Sequence, residues 1–280
     1  MKEHETDHRG TTPTNVRYFC LAFVILLLLL PMALGQPTNA QQPDTAPASS
    51  LAPLAAEQVI RNLVQMNLHR LQALHAYKGM RTYRLEYQGF PGTRSAEMVV
   101  GVRYLSPGTK EFIVQSATGS KLIIDKVFKK LLEAEEEALD AEIQRRSALT
   151  EDNYRFTLTG YESGPSGARY VLKVEPRTKD KFLYCGQIWV DAEDFAVVRI
   201  EAQPAKNPSF WTKRAEIVQV YMKVSDFWLP AYNHSVTAIR LGGYAELTID
   251  YKDYEITGAS QVSNLSPSTT LHAETARAPQ

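Results

Sequence analysis

The sequence predicts a mainly β fold with α: a curled antiparallel sheet or half-open β-barrel of about ten to eleven strands, lidded by two or more helices. Three observations predict it. Apolar and polar residues alternate with a period of two through most of residues 80–258. Turn signals such as Pro91-Gly92, Ser106-Pro107-Gly108 and Gly242-Gly243 separate the alternating runs. Only two segments carry a helical period. The 280 residues are 44% hydrophobic and 22% charged, a globular composition. The 14 tyrosines outnumber the 10 phenylalanines, which suits an amphipathic β surface better than a helical bundle.

The first element is expected to be a signal peptide over residues 1–35. Phe19-Cys20-Leu21-Ala22-Phe23-Val24-Ile25 and the five leucines after it form an apolar run. It is shorter than the ~20 residues a membrane span needs. Ala33-Leu34-Gly35 offers small residues for cleavage before Gln36, and Thr38-Asn39-Ala40 is a second candidate. The segment before the apolar run is long and carries acids as well as bases. An N-terminal anchor in the inner membrane is therefore the alternative to cleavage. Cys20 opens the apolar run rather than following it, unlike a lipidation cysteine. Cleavage leaves Cys185 without an intrachain partner, which is compatible with a bacterial periplasm. Residues 36–56 are a Pro/Ala/Gln-rich linker, residues 57–258 one domain, and residues 259–280 a disordered tail.

The domain opens with a helix over residues 57–77. Ile60, Leu63, Val64, Leu68, Leu71 and Leu74 recur at steps of three and four, and Gly79 is a candidate stop. Three strands follow. Tyr83, Leu85 and Tyr87 mark the first; Met98, Val100, Val102 and Tyr104 the second; Phe112 and Val114 the third. Their short connections make an antiparallel meander. A helical region from Lys121 to about Arg146 interrupts, with Ile124, Val127, Phe128, Leu131 and Leu132 as its stripe. Its acidic run at residues 133–137 reads as a solvated face. The remainder is strand. Phe156 and Leu158; Tyr170, Leu172 and Val174; Tyr184, Ile188 and Val190; Val198 and Ile200; Val218, Val220 and Met222; and Leu247, Ile249 and Tyr251 alternate in turn.

A sheet of ten twisted strands curls, and its concave side must be the apolar one. The two amphipathic helices are available to cover it. Strands and helices together leave an apolar cavity between lid and sheet. The expected lining is Tyr83, Leu85, Tyr87, Val100, Val102, Tyr104, Phe112, Ile188, Val190, Val198 and Ile200. The expected lid is Ile60, Leu63, Val64, Leu71, Val127, Phe128 and Leu131.

Catalytic signals are weak. The 31 basic and 31 acidic side chains cancel, which removes the electrostatic footprint of a nucleic-acid binder. Gly164-Pro165-Ser166-Gly167 reads as a turn, not a nucleophile elbow. Thr118-Gly119-Ser120-Lys121 lacks the glycine spacing of a phosphate loop. His69 and His75 are six apart on a helix, the wrong spacing for one metal, and no His-Glu-x-x-His or Cys-x-x-Cys occurs. Asp191, Glu193 and Asp194 sit at a hairpin turn, where acids are ordinary. Cys185 reads as a buried strand thiol. No cofactor or metal is called for, and no catalytic residue is assigned. Paired carboxylates brought together in space are invisible at this level, so a hydrolase remains an alternative.

The stretch Phe182-Leu183-Tyr184-Cys185-Gly186-Gln187-Ile188-Trp189-Val190-Asp191, with Phe195-Ala196-Val197-Val198-Arg199-Ile200-Glu201 after it, resembles the central hairpin of the LolA/LolB-like outer-membrane lipoprotein-sorting family. Phe227-Trp228-Leu229-Pro230 is similar in the same way, and so is the element order across roughly residues 57–256. The resemblance is to uncharacterised periplasmic members rather than the lipoprotein carrier itself. It implies an open antiparallel barrel lidded by helices, whose apolar cavity accepts acyl chains of lipids or lipoproteins. It further implies a periplasmic, non-enzymatic monomer that meets docking proteins of the inner or outer membrane. The family's carrier latches its lid with an arginine; Arg81, Arg84 and Arg103 all lie near the corresponding place. Residues 208–211, Pro-Ser-Phe-Trp, form an apolar loop that either caps the barrel end or serves as a membrane hook. An envelope-stress adaptor, as in relatives resembling RseB, is the alternative function on the same barrel. One acyl chain of about 14 methylenes buries on the order of 10 kcal/mol. Three would exceed the affinity ceiling of about 20 kcal/mol, so a carrier that releases its cargo shields it only partly, behind a lid that moves as a shallow gate.

Overall fold

The computed structural model describes residues 53–165, 167–207, 212–240 and 242–260. The expected signal peptide, the linker up to residue 52, the loop at residues 208–211 and the tail beyond residue 260 lie outside the described residues.

The chain begins with α1 (Ala56–Ala73) and passes directly into β1 (Leu74–Gln88), followed by β2 (Arg94–Leu105) and β3 (Thr109–Gly119). An inserted helix comes next: α2 (Lys121–Ile123), a π-helical turn (Ile124–Phe128) and α3 (Lys129–Glu137), then the separate α4 (Ala141–Ser147). Seven strands complete the domain: β4 (Tyr154–Gly164), β5 (Gly167–Pro176), β6 (Tyr184–Asp191), β7 (Val197–Pro204), β8 (Thr212–Val224), β9 (Phe227–Ile239) and β10 (Tyr244–Ala259). All ten strands form one sheet in the order β3-β2-β1-β10-β9-β8-β7-β6-β5-β4. Every described pairing is antiparallel. The first and last strands pair in the middle, and β3 and β4 are the edges. The sheet is therefore open rather than closed into a barrel. The inserted helices carry the chain from one edge to the other, and that is what lays them over the apolar face.

Four sequence expectations change here. Helix α1 ends at Ala73, so Leu74 and Tyr77 belong to β1, where both are buried against Phe227 and Leu229 of β9. Gly79 lies inside β1 rather than stopping a helix. The ring of Tyr254 covers it so closely that a Cβ there would come within 2.8 Å of Cδ1. The second helical region breaks after Glu137, and α4 restarts with Asp140 as its N-cap, accepting from the N–H groups of Glu142 and Ile143. On β8 the buried face is Ala215, Ile217, Gln219 and Tyr221, not Val218, Val220 and Met222. Apolar alternation pointed to the wrong face because a polar residue, Gln219, occupies an inward position.

Candidate functional site: the concave face, its two lids and their latches

Helix α1 covers the β4–β8 end of the concave face. Val59, Ile60 and Leu63 pack in one cluster with Tyr154, Leu172, Ile188, Val190 and Ile200, and Val64 lies at its margin. The inserted helix covers the opposite end. Ile123, Phe128, Leu131 and Leu132 pack with Tyr83, Leu85, Met98, Val100, Val102, Leu247 and Ile249, with Tyr87, Phe112 and Val127 half-buried beside them. A third, smaller cluster holds Ala73, Leu74, Tyr77, Phe227 and Leu229, with Tyr104 at its edge. Val59, Leu63 and Phe128 are fully buried. In this closed arrangement the lid side chains themselves occupy the concave face, where the sequence predicts an open apolar cavity.

Most of the expected lining and lid residues thus meet at the concave face, divided between its two ends. Two depart. Leu71 is 39% exposed and packs outward. One turn beyond Leu63, the inward positions of α1 are taken by Asn67 and Arg70, both buried. Val198 is the extra residue of a bulge: Trp189 pairs with Arg199, but Val190 pairs with Val197, and Val197 joins the inward cluster instead. Val198 is buried outside the three clusters.

The middle of the concave face is polar. On β8 and β9 the inward residues Gln219, Asn233, Ser235 and Thr237 are buried. Asn233 Nδ2 donates to Gln219 Oε1 at 2.8 Å, while Asn233 Oδ1 is buried without a hydrogen-bond partner. This strip lies between Ile217 of one cluster and Leu247 and Ile249 of the other. It separates the two larger clusters from Asn233 to Thr237, while Phe227 and Leu229 keep the start of β9 apolar.

Each lid is held by a buried arginine. Arg70 on α1 donates from Nη1 to the Phe195 carbonyl at 2.9 Å and to Asn67 Oδ1 at 3.2 Å, and from Nη2 to the Asp194 carbonyl. Phe195 adopts a left-handed backbone at φ 51° in the β6–β7 turn. Asp191 Oδ1 holds that turn by accepting from the N–H groups of Glu193 and Asp194. The Asp194 carboxylate in turn accepts from Lys223 at 2.7 Å and Trp228 at 2.9 Å. The acidic trio is therefore an anchor for α1. Burial lowers the Arg70 pKa to about 10, against the partial support of Asp194 and Asp191.

The second latch is ionic. Glu135 of α3 accepts from Arg81 of β1 through two bonds, Nη1 to Oε2 at 2.7 Å and Nη2 to Oε1 at 3.1 Å. Lys110 of β3 donates to Oε1 at 2.6 Å. The three side chains are 3% exposed or less. The Arg81 guanidinium also lies 5.1 Å from the Tyr251 ring centre and 5.8 Å from that of Phe112. Burial opposes charge on Glu135, but Arg81 and Lys110 outweigh it and hold the carboxyl at a pKa of about 2. Burial opposes ionisation of Arg81 too, and Glu135 overrides it, so that pKa is raised.

The acidic run at residues 133–137 is thus not uniformly solvated. Glu133 is exposed, and two residues on Glu135 is buried. Cys185 also departs from expectation: it is exposed, on the convex face. There, with Lys173, Glu175, Glu201 and Glu216, it lines a shallow depression of about 500 Å³. Among the described residues no group of histidine, cysteine and acidic side chains is placed to hold a metal ion, and no helix is long and apolar enough to cross a membrane.

An open antiparallel sheet whose concave apolar face is closed by latched helices defines a lidded half-barrel. No protein-family model matches the chain, and no curated protein matches it. Among solved structures it is similar to a DUF1329 family protein from Desulfovibrio piger, at 13% identity and a TM-score of 0.37, covering 72% of this chain and 92% of that one. It is also similar to a putative outer membrane lipoprotein-sorting protein domain from Vibrio parahaemolyticus, at 12% identity and a TM-score of 0.35, covering 72% and 94%. A LolA superfamily protein from Nitrosomonas europaea follows at 9% identity and a TM-score of 0.33, covering 74% and 96%. At this level of likeness the functional reading rests on the chain's own geometry.

Proposed function

We propose that the protein is a periplasmic carrier that shelters acyl chains of lipids or lipoproteins on its concave face, without catalysis. One observation carries the reading. The apolar face is covered by amphipathic helices rather than by a second sheet, and the covering is fastened by polar latches. A core needs no latch: burial alone fixes it, and a buried ion cluster is a poor source of stability compared with apolar packing. A cover that must lift and return needs a specific closed position, which the Arg81–Glu135–Lys110 cluster supplies.

The inserted helix is the mobile cover. Its π turn at Ile124–Phe128 interrupts the α-helical hydrogen bonding, a feature frequent at functional sites. Partial burial of the chain on this face keeps release within reach. Export through the leader places the carrier in the periplasm, and docking proteins of either membrane load and unload it.

The test is native mass spectrometry of the protein purified from its own periplasm, followed by uptake of a fluorescent lipopeptide by the delipidated protein. Co-purifying lipid and stoichiometric uptake are expected. A stoichiometric protein partner with no lipid would move the assignment to an adaptor. An empty chain that takes up nothing would end the carrier reading.

A further inference from the structure

We propose that Arg81 and Lys110 form a carboxylate site for the headgroup of a fatty acid, and that the ligand carboxylate competes there with Glu135 of the lid. The inference rests on the carrier reading above and names its ligand class.

Charge is the first argument. Two cations face one carboxylate, and all three side chains are 3% exposed or less, so the cluster carries one uncompensated positive charge away from water. Lys110 brings three donors, and its one hydrogen-bond acceptor among the described residues is Glu135. The site has capacity for a second anion.

Orphaned donors are the second argument. The hydroxyls of Tyr251 and Tyr254 are buried without a hydrogen-bond partner. The Tyr251 ring lies against Arg81, and the Tyr254 ring packs edge-on against Tyr77. Buried phenols normally find an acceptor, and a carboxylate offers about four acceptor positions.

Shape is the third. Arg81 already grips a carboxylate with both arms of its fork, a geometry that a planar headgroup reproduces and a neutral ester does not. Met98, Val100, Val102 and Phe112 lie in the same cluster and give the attached chain an apolar path. Lifting α3 withdraws Glu135 and strands two buried cations. A ligand carboxylate removes that cost, so an acidic amphiphile favours the open lid and a neutral one does not.

The experiment measures binding of cis-parinaric acid and of its methyl ester by fluorescence to the full, delipidated protein. The acid is expected to bind at least about tenfold more tightly than the ester. Lys110→Gln, which leaves the neutral Arg81–Glu135 pair intact and should fold, is expected to erase most of the preference for acid over ester. Glu135→Gln, if its thermal unfolding shows a folded protein, is expected to raise affinity for both probes and to raise it further for the acid than for the ester. Equal binding of acid and ester by the unaltered protein overturns the headgroup site and leaves the carrier reading standing. Lys110→Gln with its preference undiminished also overturns the site. Binding of neither probe overturns both readings.

Discussion

Helix α1 and the inserted helix cover opposite ends of one concave face, yet they are fastened by different chemistry. Arg70 of α1 reaches two backbone carbonyls in the β6–β7 turn. Glu135 of α3 reaches two side-chain cations on the sheet, the contact for which we propose that a ligand carboxylate competes. Helix α1 also runs into β1 with no intervening loop, whereas α3 is followed by a short connection to α4. The difference teaches that two covers of similar apolar character need not share a role. One is built into the sheet, and the other is held by a contact that can be exchanged.

The largest effect should come from breaking the ionic latch at one partner. Glu135→Gln is expected to destabilise the protein by about 3–5 kcal/mol, because Arg81 and Lys110 stay buried without their carboxylate. Denaturant unfolding checks this. Replacing all three, as Arg81→Met, Lys110→Leu and Glu135→Leu together, should restore stability to near that of the parent, since apolar side chains fill the space without desolvated charge. If the triple variant is as unstable as Glu135→Gln, the ionic account of this lid is wrong.

Acid should act on this lid through Glu135. Glu135 has a lowered pKa in the folded state, so the stability it lends is complete above its ordinary 4.5 and is lost as pH falls through about 2. The contribution is on the order of 3 kcal/mol. Unfolding free energies between pH 5 and pH 2 should therefore fall more steeply in the parent than in the triple apolar variant. Parallel curves would contradict the assignment.

Smaller losses sharpen the contrast. Arg70→Met keeps the packing volume but leaves the Asp194 and Phe195 carbonyls without their donor, for a loss of about 2 kcal/mol, read by denaturant unfolding. Glu133→Gln, two residues from Glu135 but exposed and paired with Lys130 on the surface, should cost less than about 1 kcal/mol. A loss at Glu133 approaching that at Glu135 would mean that position along the helix, not burial, sets the effect.

Much of this architecture is legible in the sequence, since a period of two in the strands and a stripe on each helix require a curled sheet and its covers. Tyr83, Val100, Phe128 and Leu131 were readable from spacing alone. The latches were partly readable as well. Asn67 and Arg70 continue the α1 stripe from Leu63 at steps of four and three, and Glu135 continues the second stripe four residues after Leu131. A charge at an inward helical position announces a buried partner, but reading only apolar residues hid it within an acidic run. What spacing does not reveal is the partner itself. Arg81 and Lys110 come together through the pairing of β1 with β2 and of β2 with β3, and that register is set by the whole sheet. Val198 was misplaced for a related reason, because a one-residue bulge reverses strand parity and leaves no local mark.

The central claim is that the inserted helix opens and α1 does not. Double electron–electron resonance measures it directly, with Cys20 and Cys185 replaced by serine and spin-labelled cysteines placed at Glu133 and Arg103 across the inserted lid, or at Arg61 and Arg155 across α1. Adding a fatty acid should lengthen the Glu133–Arg103 distance and leave the Arg61–Arg155 distance unchanged. A Glu133–Arg103 distance that keeps its closed value while the fatty acid is bound would contradict the account.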